Sequence, residues 1–148
     1  MIIMNLEENN VSLKLFIVLS RATRAIHDLV EEDIRTYGLN PTEFAVLELL
    51  YHKGDQPIQQ IGKKVLLSSG SITYVVDKLE KKNLLVRKSC PKDRRVTYAV
   101  ITENGTGLMD DIFPRHKEAI ELIFSGLSAD EKSVLIELLK KLGYHARS

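Results

Sequence analysis

The stretch SGSITYVVDKLEKK, residues 69–82, decides how the rest of the chain is read. Its apolar residues Ile72, Val75, Val76 and Leu79 recur at i, i+3, i+4 and i+7, the spacing of one buried helix face. The opposite face carries Ser71, Thr73, Tyr74, Lys78 and Lys81, a surface of hydroxyls, a phenol and cations. Around it, residues 63–95 hold ten Lys and Arg against three Asp and Glu, a local +7 in a chain whose total is +1. The remaining 115 residues therefore carry −6. Cations clustered in this way form a polyanion footprint that the chain average conceals.

Upstream, Asn40-Pro41-Thr42-Glu43 predicts a helix start, with a capping Asn, Pro at the first helical position and Glu placed to reach back. That helix carries Phe44, Leu47, Leu50 and Tyr51 and stops at Gly54. Pro57 opens a shorter one with Ile58, Ile61 and Val65 on a narrow stripe ending near Leu67, and Ser68-Ser69-Gly70 reads as a tight turn with a capping hydroxyl. Two short helices, the second basic outward, make a helix-turn-helix pattern. Downstream, Leu84 to Ser89 and Val96 to Ile101 have strand composition and are joined by Cys90-Pro91-Lys92-Asp93-Arg94-Arg95. A hairpin with a basic tip directly after a helix-turn-helix is a winged-helix arrangement. Its thin ribbon fits a minor groove, where an arginine meets strong negative potential.

The ends of the chain are helical in pattern. Ser12 to Tyr37 reads as one helix of ~26 residues and ~39 Å, with Ser12 as cap and Gly38 as the left-handed residue after it. Such length belongs either to a long core helix or to one shared with a second subunit, since surplus apolar surface has to be covered. Thr102 caps a further helix that Pro114 is expected to kink or break. The pattern resumes through Ile120, Ile123 and Phe124 and ends at Gly126. Ser128-Ala129-Asp130-Glu131 is a second capping box, before a helix with Val134, Leu135, Leu138, Leu139 and Leu142 on one face.

Length and composition narrow the classes. At 148 residues, 44% hydrophobic and 28% charged, the chain has the balance of one soluble domain. No uninterrupted apolar run approaches the ~18–20 residues of a membrane span. Met1 to Asn10 lacks a basic n-region, a long apolar core and a cleavage site, which argues against a secretory signal. One cysteine, Cys90, excludes an internal disulfide. The expected location is the cytoplasm.

Two stretches make the sequence similar to a known family. Asp93-Arg94-Arg95 followed by Ile101-Thr102-Glu103-Asn104-Gly105 resembles the wing signature of the MarR family of bacterial winged-helix regulators, Asp-x-Arg and then Leu-Thr-x-x-Gly, with Ile101 replacing Leu. Ser71-Ile72-Thr73 leading to Asp77-Lys78-Leu79-Glu80-Lys81-Lys82-Asn83-Leu84-Leu85 resembles its recognition helix and exit, with Asn83 where many members have Gly; Asn also tolerates the left-handed conformation. The resemblance covers essentially the whole chain. Asn40-Pro41-Thr42-Glu43-Phe44 and Gln59-Gln60-Ile61-Gly62-Lys63-Lys64 look closest to the quinone- and phenol-responsive branch of Gram-positive bacteria.

The resemblance implies a mainly α fold with a small β-hairpin wing, in one domain over 1–148. Residues ~40–101 would form the winged-helix DNA-binding core, and ~12–37 and ~102–144 the dimerisation helices that flank it. It also implies a homodimer reading a near-palindromic site in double-stranded DNA, commonly a repressor released by a small phenolic, aromatic or quinone compound or by oxidation of a cysteine.

Within that frame, Ser69 is a DNA-binding candidate at the leading end of the helix, and Ser71, Thr73 and Tyr74 are the candidates for base edges and adjacent phosphates, since short hydroxyls contact either and the Thr methyl suits a thymine methyl. Lys78, Lys81, Arg87, Lys88, Lys92 and Arg94 are expected on phosphates. Arg95 matches the family's wing arginine for minor-groove insertion, with Asp93 holding it or the wing backbone by an ion pair. By analogy, an effector pocket between the first helix and the winged helix would draw on Phe16, His27, Tyr37, Phe44 and Tyr51, residues that core packing also explains.

Cys90, with Lys88, Lys92 and Arg94 nearby in sequence, is a redox candidate, although peroxide-sensing relatives carry their reactive cysteine in the first helix and this chain has none there. His27, His52, His116 and His145 show no HxxxH or CxxC spacing, so no metal is expected, nor any cofactor. No nucleophile elbow, phosphate loop or acid–base pair recommends an enzyme. The competing reading is a winged helix that docks an acidic protein surface instead of DNA.

Overall fold

The computed structural model describes residues 10–65 and 69–147, with Ser69 and Gly70 in backbone only. The capping turn expected at Ser68, the stripe end at Leu67 and the leader reading of residues 1–9 lie outside them.

Helix α1 (Val11–Arg35) is capped by Asn10, whose side chain accepts from the Leu13 amide at 3.0 Å. Ser12 was the expected cap. The helix begins two residues earlier because Asn10 already has the extended backbone a cap needs, which leaves Ser12 inside the first turn. Gly38 follows at φ +78, as its left-handed role requires. Helix α2 (Pro41–Lys53) starts on the full reciprocal box between Asn40 and Glu43 and buries Phe44, Val46, Leu47 and Leu50.

Pro57 caps α3 (Ile58–Lys64), and with Gln56 it also forms a two-residue strand, β1 (Gln56–Pro57). Helix α4 (Ser69–Lys81) buries Ile72, Val75, Val76 and Leu79 and leaves Ser71, Thr73, Tyr74, Lys78 and Lys81 exposed, as the spacing predicts. It exits through Asn83, at φ 62.

Strands β2 (Leu85–Ser89) and β3 (Thr97–Ile101) pair antiparallel in the register Leu85 with Ile101 and Ser89 with Thr97. The hairpin belongs to a three-stranded sheet ordered β1-β3-β2, in which β3 is central, with Gln56 against Ala99 and Pro57 against Tyr98. The third strand was not expected, because two residues carry no alternation to detect. Pro is tolerated there because β1 is an edge.

Helix α5 (Glu103–Ile123) starts on Thr102, whose hydroxyl accepts from the Gly105 amide at 3.0 Å and donates to the Asn83 carbonyl at 2.7 Å. The Thr102 amide also donates to the Leu84 carbonyl at 3.1 Å. A Cβ on Gly105 would stand 2.2 Å from that same carbonyl oxygen, so only glycine lets the helix lie so close to the exit of α4.

Of the kink or break expected at Pro114, the break does not occur: α5 is continuous through it. The proline ring faces solvent, while Met109, Ile112 and His116 on either side are buried and hold both halves to the core. The hydrogen bond lost by Pro114 falls on the carbonyl of Asp110, itself an exposed residue whose backbone water can reach.

Helix α6 (Ala129–Arg147) starts on the reciprocal bonds of Ser128 and Glu131 at 2.9 and 3.1 Å. The buried apolar core runs from Ile34 to Ile112, filling the winged helix and joining it to the end of α1 and the first half of α5. None of the described residues of α6 is buried, and of those in α1 only Ile34 is. Among the described residues no helix is long and apolar enough to cross a membrane.

Candidate nucleic-acid interface

The outward face of α4 and the wing tip provide the exposed cations. On α4 the Lys78 ammonium lies 5.3 Å from the centroid of the Tyr74 ring, within cation–π range, and Tyr74 is 60% exposed. Ser71 and Thr73 share this exposed side.

At the wing, Asp93 Oδ1 accepts from the Arg95 amide at 3.0 Å and from Arg95 Nε at 3.1 Å, and its Oδ2 accepts from the guanidinium at 3.2 Å. These bonds, side chain first and backbone second, lower the Asp93 pKa. Arg95 is anchored at its base while 91% of its side chain stays exposed. Lys88, Lys92 and Arg94 are exposed around it. Cys90, half-buried at the root of the tip, closes the hairpin through its amide to the Val96 carbonyl at 2.9 Å.

Three of the ten cations turn inward instead, one of them Lys64, whose ammonium donates to the buried Gln56 side chain at 2.6 Å. Arg87 donates to Asp77 and to Glu80, each at 2.6 Å, and only 29% of its side chain is exposed. Burial works against its charge, but the bonds to Asp77 and then Glu80 outweigh burial and raise its pKa. Lys82 meets Glu43 at 2.8 Å. Burial pushes Glu43 upward, but the Lys82 ammonium and the Asn40 amide more than offset it, and its pKa lies below the ordinary value. None of these pairings was read from the sequence. The available signal was weak: Asp77 and Glu80 stand three apart on a recognition helix, where anions facing DNA would be unfavourable.

The five effector candidates do not form one site within the chain. Phe16, 66% exposed, and His27 stand out on α1. Tyr37, Phe44 and Tyr51 lie along α5. The Tyr37 hydroxyl donates to both Asp33 carboxylate oxygens, at 2.8 and 3.0 Å, and the Arg115 guanidinium lies 5.2 Å from its ring centroid. Burial first and the Asp33 bond second push the Tyr37 phenol up to about 12.

Asp33 also meets His116 Nδ1 at 2.8 Å, and the His116 ring packs 4.6 Å from Phe44. Tyr51 donates to Asp110, which raises its pKa, and sits 6.1 Å from Phe113. Asp33, His116 and Phe113 were missed. His116 was findable, since it follows Ile112 by four on the buried stripe. A separate apolar cavity of about 320 Å³ between the end of α5 and α6, lined by Ile120, Phe124 and Leu135 among others, includes none of the five.

Comparison with known proteins places this geometry. The MarR family model matches residues 39–97, from the start of α2 to the far side of the wing. Over 136 residues the chain is 64% identical to the HTH-type transcriptional regulator MhqR of Bacillus subtilis (strain 168), covering 92% of this chain and 94% of that one. AbsC, a MarR family transcriptional regulator from Streptomyces coelicolor, has the same fold, with a TM-score of 0.85 at 22% identity over 93% of this chain and 95% of that one. A cysteine-to-serine mutant of MarR from E. coli, solved with operator DNA, matches at a TM-score of 0.79 and 21% identity over 90% and 96% of the two chains. With its recognition helix, its Asp93–Arg95 wing and these likenesses, the chain belongs to the MarR family.

Proposed function

We propose that this MarR-family transcriptional regulator, a DNA-binding protein and not an enzyme, is a cytoplasmic repressor that binds a near-palindromic operator as a homodimer and is released by a small aromatic, phenolic or quinone-type effector. The observation that carries the reading is Arg95, pinned by Asp93 yet 91% exposed, beside the exposed hydroxyl and cation face of α4. In this reading Ser71, Thr73 and Tyr74, with Ser69 at the leading end of α4, meet base edges in the major groove. Lys78, Lys81, Lys88, Lys92 and Arg94 meet phosphates, and Arg95 enters the minor groove. The repressor role follows the family expectation and the likeness to MhqR.

Dimerisation is supported by the faces the chain leaves uncovered. Val11, Leu15, Phe16, Val18 and Leu29 on α1 and Val134, Leu135, Leu138, Leu139 and Leu142 on α6 are between 39% and 81% exposed, more apolar surface than a monomer keeps in water. A two-fold partner would cover them and set the two recognition helices one helical turn apart, ~34–36 Å. Sedimentation at micromolar concentration should find the dimer; a stable folded monomer would refute this arrangement.

For the effector, the support is the aromatic run Phe44, His116, Phe113 and Tyr51, with Tyr37 beside it, where the winged-helix core meets α1 and α5. Mobility shifts on the upstream DNA of the protein's own gene, against unlabelled nonspecific competitor, test the reading as a whole. Arg95→Ala should weaken operator binding by ~1–3 kcal/mol and leave the dimer intact. Unchanged affinity would remove Arg95 from its assigned role, and no shift with the native protein would favour a protein-docking module.

A further inference from the structure

Arg87 poses a problem for a purely electrostatic account of the DNA-facing surface. It lies in the middle of β2, and its fork spans two carboxylates on α4, Asp77 and Glu80, at 2.6 Å each. Its own amide also reaches Glu80, at 3.3 Å. Asp77 and Glu80 are three apart and therefore neighbours on one side of the helix. They are the two acidic residues of a recognition helix that otherwise offers hydroxyls and cations. Anions there repel a polyanion, and their presence calls for an offsetting gain.

The position of the contact supplies one. Helix α4 and strand β2 meet at an elbow through Asn83, and Arg87 ties them together on the flank of that elbow. The two DNA-reading elements diverge from this point, one along α4 and the other along the hairpin. The tip begins seven residues beyond Asn83, ~23 Å by strand rise, so a 10° rotation at the elbow moves it by ~4 Å. A displacement of that size takes Arg95 out of register with a groove while α4 is seated. A planar fork with two charged bonds holds such an angle, which a single ammonium does not.

We propose that Arg87 is a positioning residue rather than a phosphate contact. Through Asp77 and Glu80 it sets the angle between recognition helix and wing, so these two anions favour specific DNA binding despite their charge. The inference rests on the DNA-binding reading above and assigns a role within that site.

The sign of one double substitution decides it. Asp77→Asn with Glu80→Gln keeps shape and adds +2 per subunit, so charge alone predicts tighter binding to every duplex. The brace predicts the reverse for the operator, a loss of about ten-fold or more, while affinity for nonspecific duplex holds or rises. Arg87→Ala should likewise lower the ratio of specific to nonspecific binding and leave the salt slope on the operator unchanged, and Arg87→Lys should not restore the ratio. Sedimentation and circular dichroism establish that each variant is the folded dimer, and the isosteric double variant decides the matter alone if Arg87→Ala does not fold.

Tighter operator binding by the double variant would overturn the proposal. So would a slope reduced by about 2 in Arg87→Ala, the signature of one lost phosphate contact per subunit. Failure of the native protein to bind any upstream duplex would fall on the DNA-binding reading itself and take the brace with it.

Discussion

Operator affinity is expected to fall by ~10⁴ as monovalent salt rises from ~50 to ~200 mM. The figure follows from which cations are available, not from how many there are. Lys82 and Arg87 are held by Glu43, Asp77 and Glu80, which leaves Lys78, Lys81, Lys88, Lys92, Arg94 and Arg95 as the exposed set on α4 and the wing. If ~4 of these in each subunit neutralise phosphates, the dimer displaces counterions from ~8, and the logarithmic slope is about −7. Had all ten cations of residues 63–95 engaged in both subunits, the slope would approach about −18. Fluorescence anisotropy on a labelled operator through a salt series reads the slope directly. A nearly flat line would sink the electrostatic account, and a much steeper one would mean that the inward pairs open on DNA.

The second large effect concerns stability, and it is asymmetric. Lys82→Ala should cost about 2–3 kcal/mol, because it leaves the Glu43 carboxylate, 3% exposed, without its cation; the value sits at or below the low end for buried pairs since the Lys82 side opens to water. Glu43→Gln should cost only about 1 kcal/mol, since Lys82 is 41% exposed and turns to solvent. The pH dependence has a definite sign. Glu43 is depressed in the folded protein, so its contribution is full above the ordinary glutamate value of 4.5 and is lost as pH falls through the lower folded value. In Lys82→Ala burial dominates and favours the neutral acid, so the deficit against the native protein should shrink as pH falls from the variant's raised Glu43 value through the lower native one. Urea denaturation of the three proteins at pH 7 and at pH 4 measures this; equal losses for both variants would contradict it.

These pairs mark where sequence reading stops. The caps on Asn40, Thr102 and Ser128, the buried face of α4 and the left-handed Asn83 were legible because each follows from chemistry within four residues along the chain. The wing hairpin was legible because two short runs of strand-forming residues flank a basic turn. The strand Gln56–Pro57 was not, since its existence depends on Ala99 and Tyr98 arriving from elsewhere. At Pro114 the break does not occur, because burial on both sides of it outweighs the local rule against proline in a helix.

The site divides in the same way. Exposed candidates such as Tyr74, Lys78 and Arg95 could be named from periodicity and charge. Whether Arg87 faces DNA or a carboxylate depends on how β2 lies across α4. Asp33 and His116 stand 83 residues apart, and no local pattern joins them.

The continuity of α5 has a mechanical consequence. Its cap residue Thr102 is hooked to the carbonyls of Asn83 and Leu84, where α4 passes into the wing hairpin, and its far end borders the apolar cavity against α6. Between them, Asp33 and Phe44 grip His116. A helix of 21 residues in one piece is a shaft of ~32 Å. Tilting it by 5° about that grip carries the first turn ~1.7 Å and the far end ~0.9 Å in opposite directions. Two shorter helices, parted at Pro114, would have absorbed the same push as a bend. Because the shaft is whole, a displacement of its far end against α6 is carried to the turn where α4 meets the wing.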